Sequence, residues 1–322
     1  MTGGLAVLST GGTISAVADS RRRHGHGLGP ADMLEGLDAD VAARVEDVED
    51  IVRIPSRAMA PPQMLEVARS IVARFEGGTT GIVVTHGTDT LEETAYALSL
   101  MVPVSRPVVL TGAMRLPGEP GSDAPANLSD AIVAASDPRV APFGAVVMFQ
   151  NELHDARWVT KEHTSRVAAF ASPGNGPIGT VVEKAVTLAW REPARSEYLG
   201  LPEQLDGPRV GIAYVHAGAD GEELTALPAD LRGLVVAGTG GGHTPPRFAA
   251  RLEQLIARGV TVVISSRCAA GPSLRDTYAG EGGEFHLREI GAIVADGRAP
   301  AKARLRLHVA LALGIEPKEA FA

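Results

Sequence analysis

The sequence of 322 residues contains a single cysteine, Cys268. One cysteine cannot form an intrachain disulfide, and no spacing of Cys and His residues is typical of a zinc site. No stretch reaches the roughly 18 consecutive apolar residues that a membrane helix needs. The segment from Met1 to Ser9 has no cationic residues and an apolar run of only Leu5 to Leu8, unlike a secretory signal. We therefore expect a cytoplasmic protein without disulfides, a bound metal or a membrane partner.

The chain also lacks long basic segments. Lys and Arg total 30 against 38 Asp and Glu, which gives a formal net charge of -8. This acidic excess argues against nucleic acid or an anionic membrane as the main partner. Hydrophobic residues make up 45% of the chain, so a chain of this length can bury ordinary cores, and its size favours two domains.

Short β-branched runs alternate with segments of helical periodicity, a pattern typical of βαβ units and a largely parallel sheet. In the first half the clearest strands are Leu5–Ser9, Ile82–His86, Val108–Thr111 and Ala145–Gln150. Glu92 and Glu93 fall in the first turn of one predicted helix, where they complement the helix dipole. The sequence therefore predicts an α/β fold.

A charged, proline-containing stretch of little periodicity, residues 191–209, interrupts this alternation. Strand patterns resume at Val210–Val215 and continue to a closing helix near Pro300–Leu313. We expect a larger N-terminal catalytic α/β domain at residues 1–190, a linker at 191–209, and a smaller C-terminal α/β domain at 210–322.

Two threonine-containing segments follow predicted strands, at the sheet edge where ligands bind in open α/β folds. The first runs from Ser9 to Ile14 and contains Gly-Gly-Thr with Thr13 at its end. The second runs from Thr85 to Ala95 and delivers Thr88 and Asp89 to the start of a helix. Alone, the first is typical of a capped turn, and Thr88 and Asp89 are typical helix N-cap residues.

Lysine is scarce, because only four of the 30 basic residues are lysines. Arginine stays charged, whereas a desolvated lysine can exchange a proton, so a site that needs proton transfer would use lysine. Lys161 lies in the segment Val159–Thr160–Lys161. It is the candidate partner for a hydroxyl nucleophile, the alternative being a surface lysine.

Together with the block Ser122–Leu128 and the turn Gly112–Arg115, these segments resemble the bacterial-type L-asparaginases, including asparaginase/glutaminases. The resemblance covers nearly the whole chain. It implies that Thr13 is a nucleophile that forms an acyl-enzyme with the side-chain amide carbon. It also implies that Thr88, Asp89 and Lys161 form a second catalytic set. In this set Thr88 and Lys161 assist proton transfer and activation of the hydrolytic water, and Asp89 also binds the substrate's α-ammonium group.

The same resemblance assigns substrate contacts outside these catalytic residues. Ser56 corresponds to the residue that binds the α-carboxylate, and Ala113 would contact the amide oxygen or the leaving group. No cofactor and no metal are implied. The resemblance further implies a homo-oligomer, a dimer or a tetramer of intimate dimers, with sites at subunit boundaries.

Three positions depart from the family pattern. No tyrosine precedes Tyr96, so the usual loop tyrosine is missing, and His26 falls near its position as a possible proton relay or a flexible loop residue. Arg57 stands where a neutral or acidic residue is common, and would either add a cation near the substrate or point into solvent. His243 takes the approximate place of an asparagine that reaches a neighbouring site, and Glu281, Glu284 and Glu289 are all candidates for the family's C-terminal acidic residue.

The sequence thus predicts an L-asparagine amidohydrolase that releases L-aspartate and ammonia, with glutaminase activity as a possible side reaction. One alternative is an inactive or weak amino-acid-binding or regulatory homologue that lost the loop tyrosine. The other is the amidase subunit of a tRNA amidotransferase. An extra N-terminal domain is expected for that subunit, and the start of this chain at its first strand counts against it.

Overall fold

The computed structural model describes residues 3–18, 24–190 and 196–322, and of residues 17, 18 and 24–26 it describes the backbone alone. The chain divides into two compact units, Met1–Leu201 and Pro202–Ala322. This division falls inside the stretch that we expected to be a linker.

The first unit is built around an eight-stranded sheet, with α-helices and two short ladders on its connections. Its strands are β1 Leu5–Ser9, β2 Ala16–Ala18, β3 His24–His26, β4 Val45–Asp50, β5 Gly81–Thr85, β6 Val108–Thr111, β7 Ala145–Phe149, β8 Glu152–Asp155, β9 Thr160–Lys161, β10 Phe170–Ala171, β11 Gly179–Val182 and β12 Ala185–Leu188. Its α-helices are α1 Pro30–Leu34, α2 Ala39–Ala42, α3 Pro61–Glu76, α4 Leu91–Met101 and α5 Ala124–Ala135. Short 3-10 helices span Thr13–Ser15, Ser56–Ala58 and Pro138–Phe143.

The large sheet has the strand order β12-β11-β8-β7-β6-β5-β1-β4. All pairings from β4 to β7 are parallel, and those from β7 to β12 are antiparallel. The central strands β1, β5, β6 and β7 are buried along their whole length, as expected for strands covered by helices on both faces. This confirms the predicted α/β class with a mostly parallel sheet.

Helices α3 and α4 show why the local sequence forms these elements. Helix α3 begins at Pro61, whose missing N–H costs nothing at the first helical position, and ends before Gly78, which has a φ of 100°. Helix α4 carries Glu92 and Glu93 in its first turn, as predicted, and is apolar on almost all sides because it is buried. The second threonine segment connects the end of β5 to this first turn, and so lies at the edge of the sheet.

The second unit contains a four-stranded, fully parallel sheet of order β13-β14-β15-β16. Its strands are β13 Arg209–Tyr214, β14 Leu231–Gly238, β15 Thr261–Ser266 and β16 Ile293–Val294. Its helices are α6 Pro246–Ala257, α7 Glu284–Glu289, α8 Pro300–Ala312 and α9 Pro317–Ala320, with a 3-10 helix at Glu222–Ala226. This smaller α/β unit agrees with the predicted C-terminal fold.

Candidate active site

The two threonine segments leave the sheet at the same edge. Strands β1 and β5 are parallel neighbours, and Ser9 at the end of β1 lies opposite Thr85 at the end of β5. Thr10 fastens the two strand ends together, since its backbone N–H and its Oγ1 each donate to the Thr85 carbonyl oxygen at 3.0 Å. The turns that follow therefore begin side by side.

The glycines of the two turns are in backbone contact. Gly12 has a φ of 95°, and a Cβ at this position would lie 2.4 Å from both the Cα and the N of Gly87. A Cβ on Gly87 would in turn lie 2.6 Å from Ser56 Oγ. Only glycine permits this approach, because it has no side chain. Thr13 and Thr88 each come directly after one of these glycines. The two threonines therefore follow segments of main chain that are in contact with each other.

Lys161 contacts the second threonine segment through its amine. Its Nζ lies 2.9 Å from Thr88 Oγ1 and 2.9 Å from Asp89 Oδ1. The Lys161 side chain is 16% exposed, whereas that of Asp89 is 59% exposed. The amine is thus held at the hydroxyl of Thr88, with a carboxylate that solvent or a ligand can reach.

Ser56, which comes after strand β4 in the chain, packs against the turn of Thr88 and Asp89. It begins the 3-10 helix Ser56–Ala58 and is buried, and its Oγ accepts the backbone N–H of Asp89 at 3.3 Å. Its carbonyl oxygen accepts a hydrogen bond from Thr90 Oγ1 at 2.7 Å. The neighbouring Arg57 is exposed. The structure therefore brings Ser56 to the turn of Thr88, while the guanidinium of Arg57 lies on the surface.

The turn at Gly112 and Ala113 completes this edge. A Cβ on Gly112 would lie 3.3 Å from Thr88 Cγ2, so the backbone of this turn packs on Thr88. Ala113 is fully buried. Six predicted site residues thus lie at this edge of the sheet. They come from the turns after β1, β5 and β6, from strand β9, and from the 3-10 helix that packs against the turn of Thr88: Thr13, Ser56, Thr88, Asp89, Ala113 and Lys161.

Two buried polar residues without a predicted role hold the Gly112 turn in place. Asp123 accepts the backbone N–H groups of Met114 at 3.0 Å and Arg115 at 2.9 Å. Asn127 Nδ2 donates to the Gly112 carbonyl oxygen at 2.9 Å. Both residues belong to the block Ser122–Leu128, whose resemblance to the family was the feature of the sequence that could have pointed to them.

His86 supports the second turn from inside the protein. It is fully buried, its Nδ1 lies 2.7 Å from the Gly87 carbonyl oxygen, and its Nε2 lies 2.9 Å from Thr94 Oγ1. Burial lowers the pKa of His86 to about 4, so the ring is neutral at pH 7. A neutral ring that donates from Nδ1 to the carbonyl and accepts the Thr94 hydroxyl proton at Nε2 satisfies both contacts.

The loop after Thr13 is described only in part. Its backbone returns as β3, in which His26 lies opposite Ala16 of β2. The His26 side chain lies outside the described residues, as do Arg21, Arg22 and Arg23. The relay role of His26 therefore stays a prediction.

In the second unit, His243 is paired with one of the three candidate acidic residues. His243 Nε2 lies 2.9 Å from Glu284 Oε2, and the His243 ring meets the Tyr278 ring edge-on at 5.0 Å. Glu284 is buried and also accepts the Tyr278 backbone N–H at 2.6 Å, whereas Glu281 and Glu289 are exposed. Burial and pairing thus separate Glu284 from the other two.

Neither a metal site nor a membrane span has a candidate within the described parts of the chain. No group of three or more His, Cys, Asp or Glu side chains among them is placed to hold a metal ion. No described helix is long and apolar enough to cross a membrane.

Comparison with known proteins matches both units. The family model described as Asparaginase, N-terminal, matches residues 4–194. The model described as Glutaminase/Asparaginase C-terminal domain matches residues 209–321. The crystal structure of a probable cytoplasmic L-asparaginase from Campylobacter jejuni superposes with a TM-score of 0.87 at 30% identity, covering 99% of each chain.

Two curated relatives bear on the activity. A probable periplasmic L-asparaginase of Haemophilus influenzae is 36% identical over 322 residues, which span 98% of this chain and 90% of the relative. A glutamyl-tRNA(Gln) amidotransferase subunit of Methanobrevibacter smithii is 33% identical over 283 residues, which span 85% of this chain and 65% of that protein.

Proposed function

The chain belongs to the bacterial-type L-asparaginase family, and from that premise we propose that it hydrolyses L-asparagine to L-aspartate and ammonia with Thr13 as the nucleophile. The observation that supports this most directly is the position of Lys161 Nζ, 2.9 Å from both Thr88 Oγ1 and Asp89 Oδ1. An amine in this position serves amide hydrolysis, because a hydroxyl or water nucleophile needs a group that takes its proton.

In the proposed first step, Thr13 Oγ attacks the side-chain amide carbon of asparagine. The carbonyl π electrons move to oxygen, and the oxyanion is stabilised by backbone N–H groups near Thr13 and Thr88 and by the turn of Ala113. The loss of one such donor typically costs about 3 kcal/mol of transition-state stabilisation. The oxyanion then re-forms the carbonyl as the C–N bond breaks. The nitrogen takes up the proton that the Thr13 hydroxyl lost on attack and leaves as ammonia, so that Thr13 carries the β-aspartyl ester.

In the second step, water attacks this ester while Thr88 and Lys161 take its proton. The Lys161 amine lies 2.9 Å from the Thr88 hydroxyl, a distance at which a proton can pass along one hydrogen bond. The ester C–O bond then breaks, the proton taken from water returns to the Thr13 oxygen, and L-aspartate leaves the enzyme in its starting state. No step of this scheme requires a cofactor.

Substrate binding is proposed to use the groups that frame the turn of Thr88. Asp89 keeps most of its carboxylate accessible, which suits a contact with the α-ammonium group of the substrate. Ser56 is buried, accepts a hydrogen bond from the Asp89 main chain and would bind the α-carboxylate. Arg57 would add a positive charge at the rim for that carboxylate, and His26 would take the place of the missing loop tyrosine.

We also propose a homo-oligomeric, cytoplasmic enzyme. The family resemblance supports a dimer or tetramer, and the Campylobacter neighbour is described as cytoplasmic, while the Haemophilus relative is described as periplasmic. Light scattering of the purified protein and fractionation of cells test these two points.

The activity is tested by ammonia release from L-asparagine, L-glutamine and D-asparagine, measured side by side on the wild type and on Thr13→Ala. We expect L-asparagine to be the best substrate, with a weaker reaction on L-glutamine, because one methylene in a pocket is worth only about 1 to 3 kcal/mol. Thr13→Ala should release no ammonia while keeping the wild-type circular dichroism. Thr187→Ala, which truncates an exposed threonine on β12, is the matched control and should retain full activity. Full turnover by Thr13→Ala would remove Thr13 from the mechanism.

The same assay separates the two alternative functions. A binding or regulatory homologue would be stabilised thermally by L-aspartate but would release no ammonia. An amidotransferase subunit would release ammonia for transfer to a charged tRNA, so its hydrolysis would depend on a second protein. Rapid hydrolysis by this chain alone would contradict both.

A further inference from the structure

The turn before helix α4 contacts the amine of Lys161, and the helix itself contacts the main chain of Lys161. The backbone N–H of Lys161 donates to Glu92 Oε2 at 2.6 Å. Glu92 and Lys161 are 69 residues apart in the chain, and both are partly buried. At 2.6 Å this is a short hydrogen bond between two distant parts of the chain.

Lys161 lies in a short ladder. Strand β9 has two residues and pairs with the two residues of β10, and the N–H of the next residue, Glu162, donates to the Ala169 carbonyl oxygen at 2.8 Å. Two-stranded ladders are marginal in isolation, and this one is shorter than most. The N–H of Lys161 is directed away from this ladder towards α4, so the helix supplies a support that the ladder lacks.

One turn of chain thus holds Lys161 at both of its ends. Thr88 and Asp89 contact the amine, and Glu92, three residues after Asp89, holds the main chain from which the side chain departs. The Glu92 contact fixes the point from which the lysine side chain departs, and so the conformation in which its amine reaches Thr88. Displacements of about 1 Å at a catalytic group can cost on the order of 100-fold in rate.

We propose that Glu92 is a positioning residue that sets the distance between the Lys161 amine and Thr88, and so controls the proton-transfer steps. This inference rests on the proposed function. It does not make Glu92 a catalytic residue, because it acts through the main chain of Lys161. It goes beyond the helix-dipole role that the sequence indicates, since that role needs only a negative charge in the first turn.

Two conservative variants separate the reach of Glu92 from its charge. Glu92→Gln keeps an acceptor oxygen at the same distance and loses the charge, whereas Glu92→Asp keeps the charge and is one methylene too short. We expect Glu92→Gln to retain kcat on L-asparagine within about threefold and Glu92→Asp to lose about tenfold, with KM changing less than about twofold in both. Glu66→Ala, which truncates an exposed glutamate on the neighbouring helix α3, should match the wild type.

A double-mutant cycle then asks whether Glu92 acts through Lys161. In the Lys161→Met background, Glu92→Asp should cause no further loss of kcat, because the group that it positions is absent. The same tenfold loss in both backgrounds would overturn the inference, as would equal losses in Glu92→Gln and Glu92→Asp or wild-type kcat in Glu92→Asp. A wild-type enzyme that releases no ammonia would instead contradict the proposed function, so the two failures are distinguishable. Melting temperatures of all variants exclude misfolding as the cause.

Discussion

The buried ring of His86 makes the stability of the first unit depend on pH. Its pKa is lowered from 6.5 to about 4 because burial disfavours the charged ring. Between these values the unfolded chain binds a proton at His86 and the folded chain does not, so the free energy of unfolding falls as the pH falls through this window. At about 1.4 kcal/mol per pKa unit, acidification from pH 7 to pH 4 should cost about 3 kcal/mol through this residue alone.

Tryptophan fluorescence allows this effect to be measured on the relevant unit. The two tryptophans of the chain, Trp158 and Trp190, both lie in the unit Met1–Leu201. Urea unfolding followed by their emission at pH 7, 6, 5 and 4 gives the free energy of unfolding of that unit. Carboxylates titrate in the same range, so the informative quantity is the difference between the wild type and His86→Gln, whose amide does not titrate.

We expect His86→Gln to be less stable than the wild type at pH 7 and the gap between them to narrow by about 3 kcal/mol by pH 4. The control Thr187→Ala changes an exposed residue of the same unit, and its difference in stability from the wild type should stay constant across this pH range. Burial also lowers the pKa of His154 to about 4, so His154→Gln should show a similar narrowing. Parallel curves for the wild type and His86→Gln from pH 7 to pH 4 would refute the reasoning, since they would mean that the folded protein protonates His86 as easily as the unfolded chain does.

Two further predictions concern proton transfer in the site. Lys161→Met should lower kcat on L-asparagine by about 100-fold or more and change the shape of the pH–rate profile, whereas an unchanged profile would count against Lys161 as the base. His26→Ala should lower kcat at least tenfold, about 1.4 kcal/mol in activation free energy, if His26 replaces the missing tyrosine, and a smaller loss measured by ammonia release would reduce it to a loop residue.

The central strands could be predicted because their burial on both faces leaves an apolar run in the sequence. Strands β1 and β6 have the predicted bounds, and β5 begins and ends one residue earlier than predicted. Strand β4 was missed for the opposite reason. It reads Val-Glu-Asp-Val-Glu-Asp, pairs only with β1 at the edge of the sheet, and is largely accessible. An edge strand can keep its charges in water, so it carries no apolar run that a sequence pattern could reveal.

The candidate site, like the fold, has parts that the sequence could predict and parts that it could not. The resemblance named Thr88, Asp89 and Lys161 as one group, and the structure brings the Lys161 amine to the other two. The supporting contacts of Asp123 and Glu92 could not be assigned from the sequence. Each accepts main-chain N–H groups from another part of the chain, and a donor that nearly every residue carries leaves no mark in the sequence.

Redesign of substrate preference has no room at the centre of this site. A methyl group on Gly12 would collide with the main chain of Gly87, a clash that no rotamer change could relieve. A methyl group on Gly87 would collide with the side chain of Ser56. The two turns therefore have to vary as a pair or remain as they are. Substitutions have room at exposed positions such as Arg57, where a new side chain meets solvent rather than a second loop.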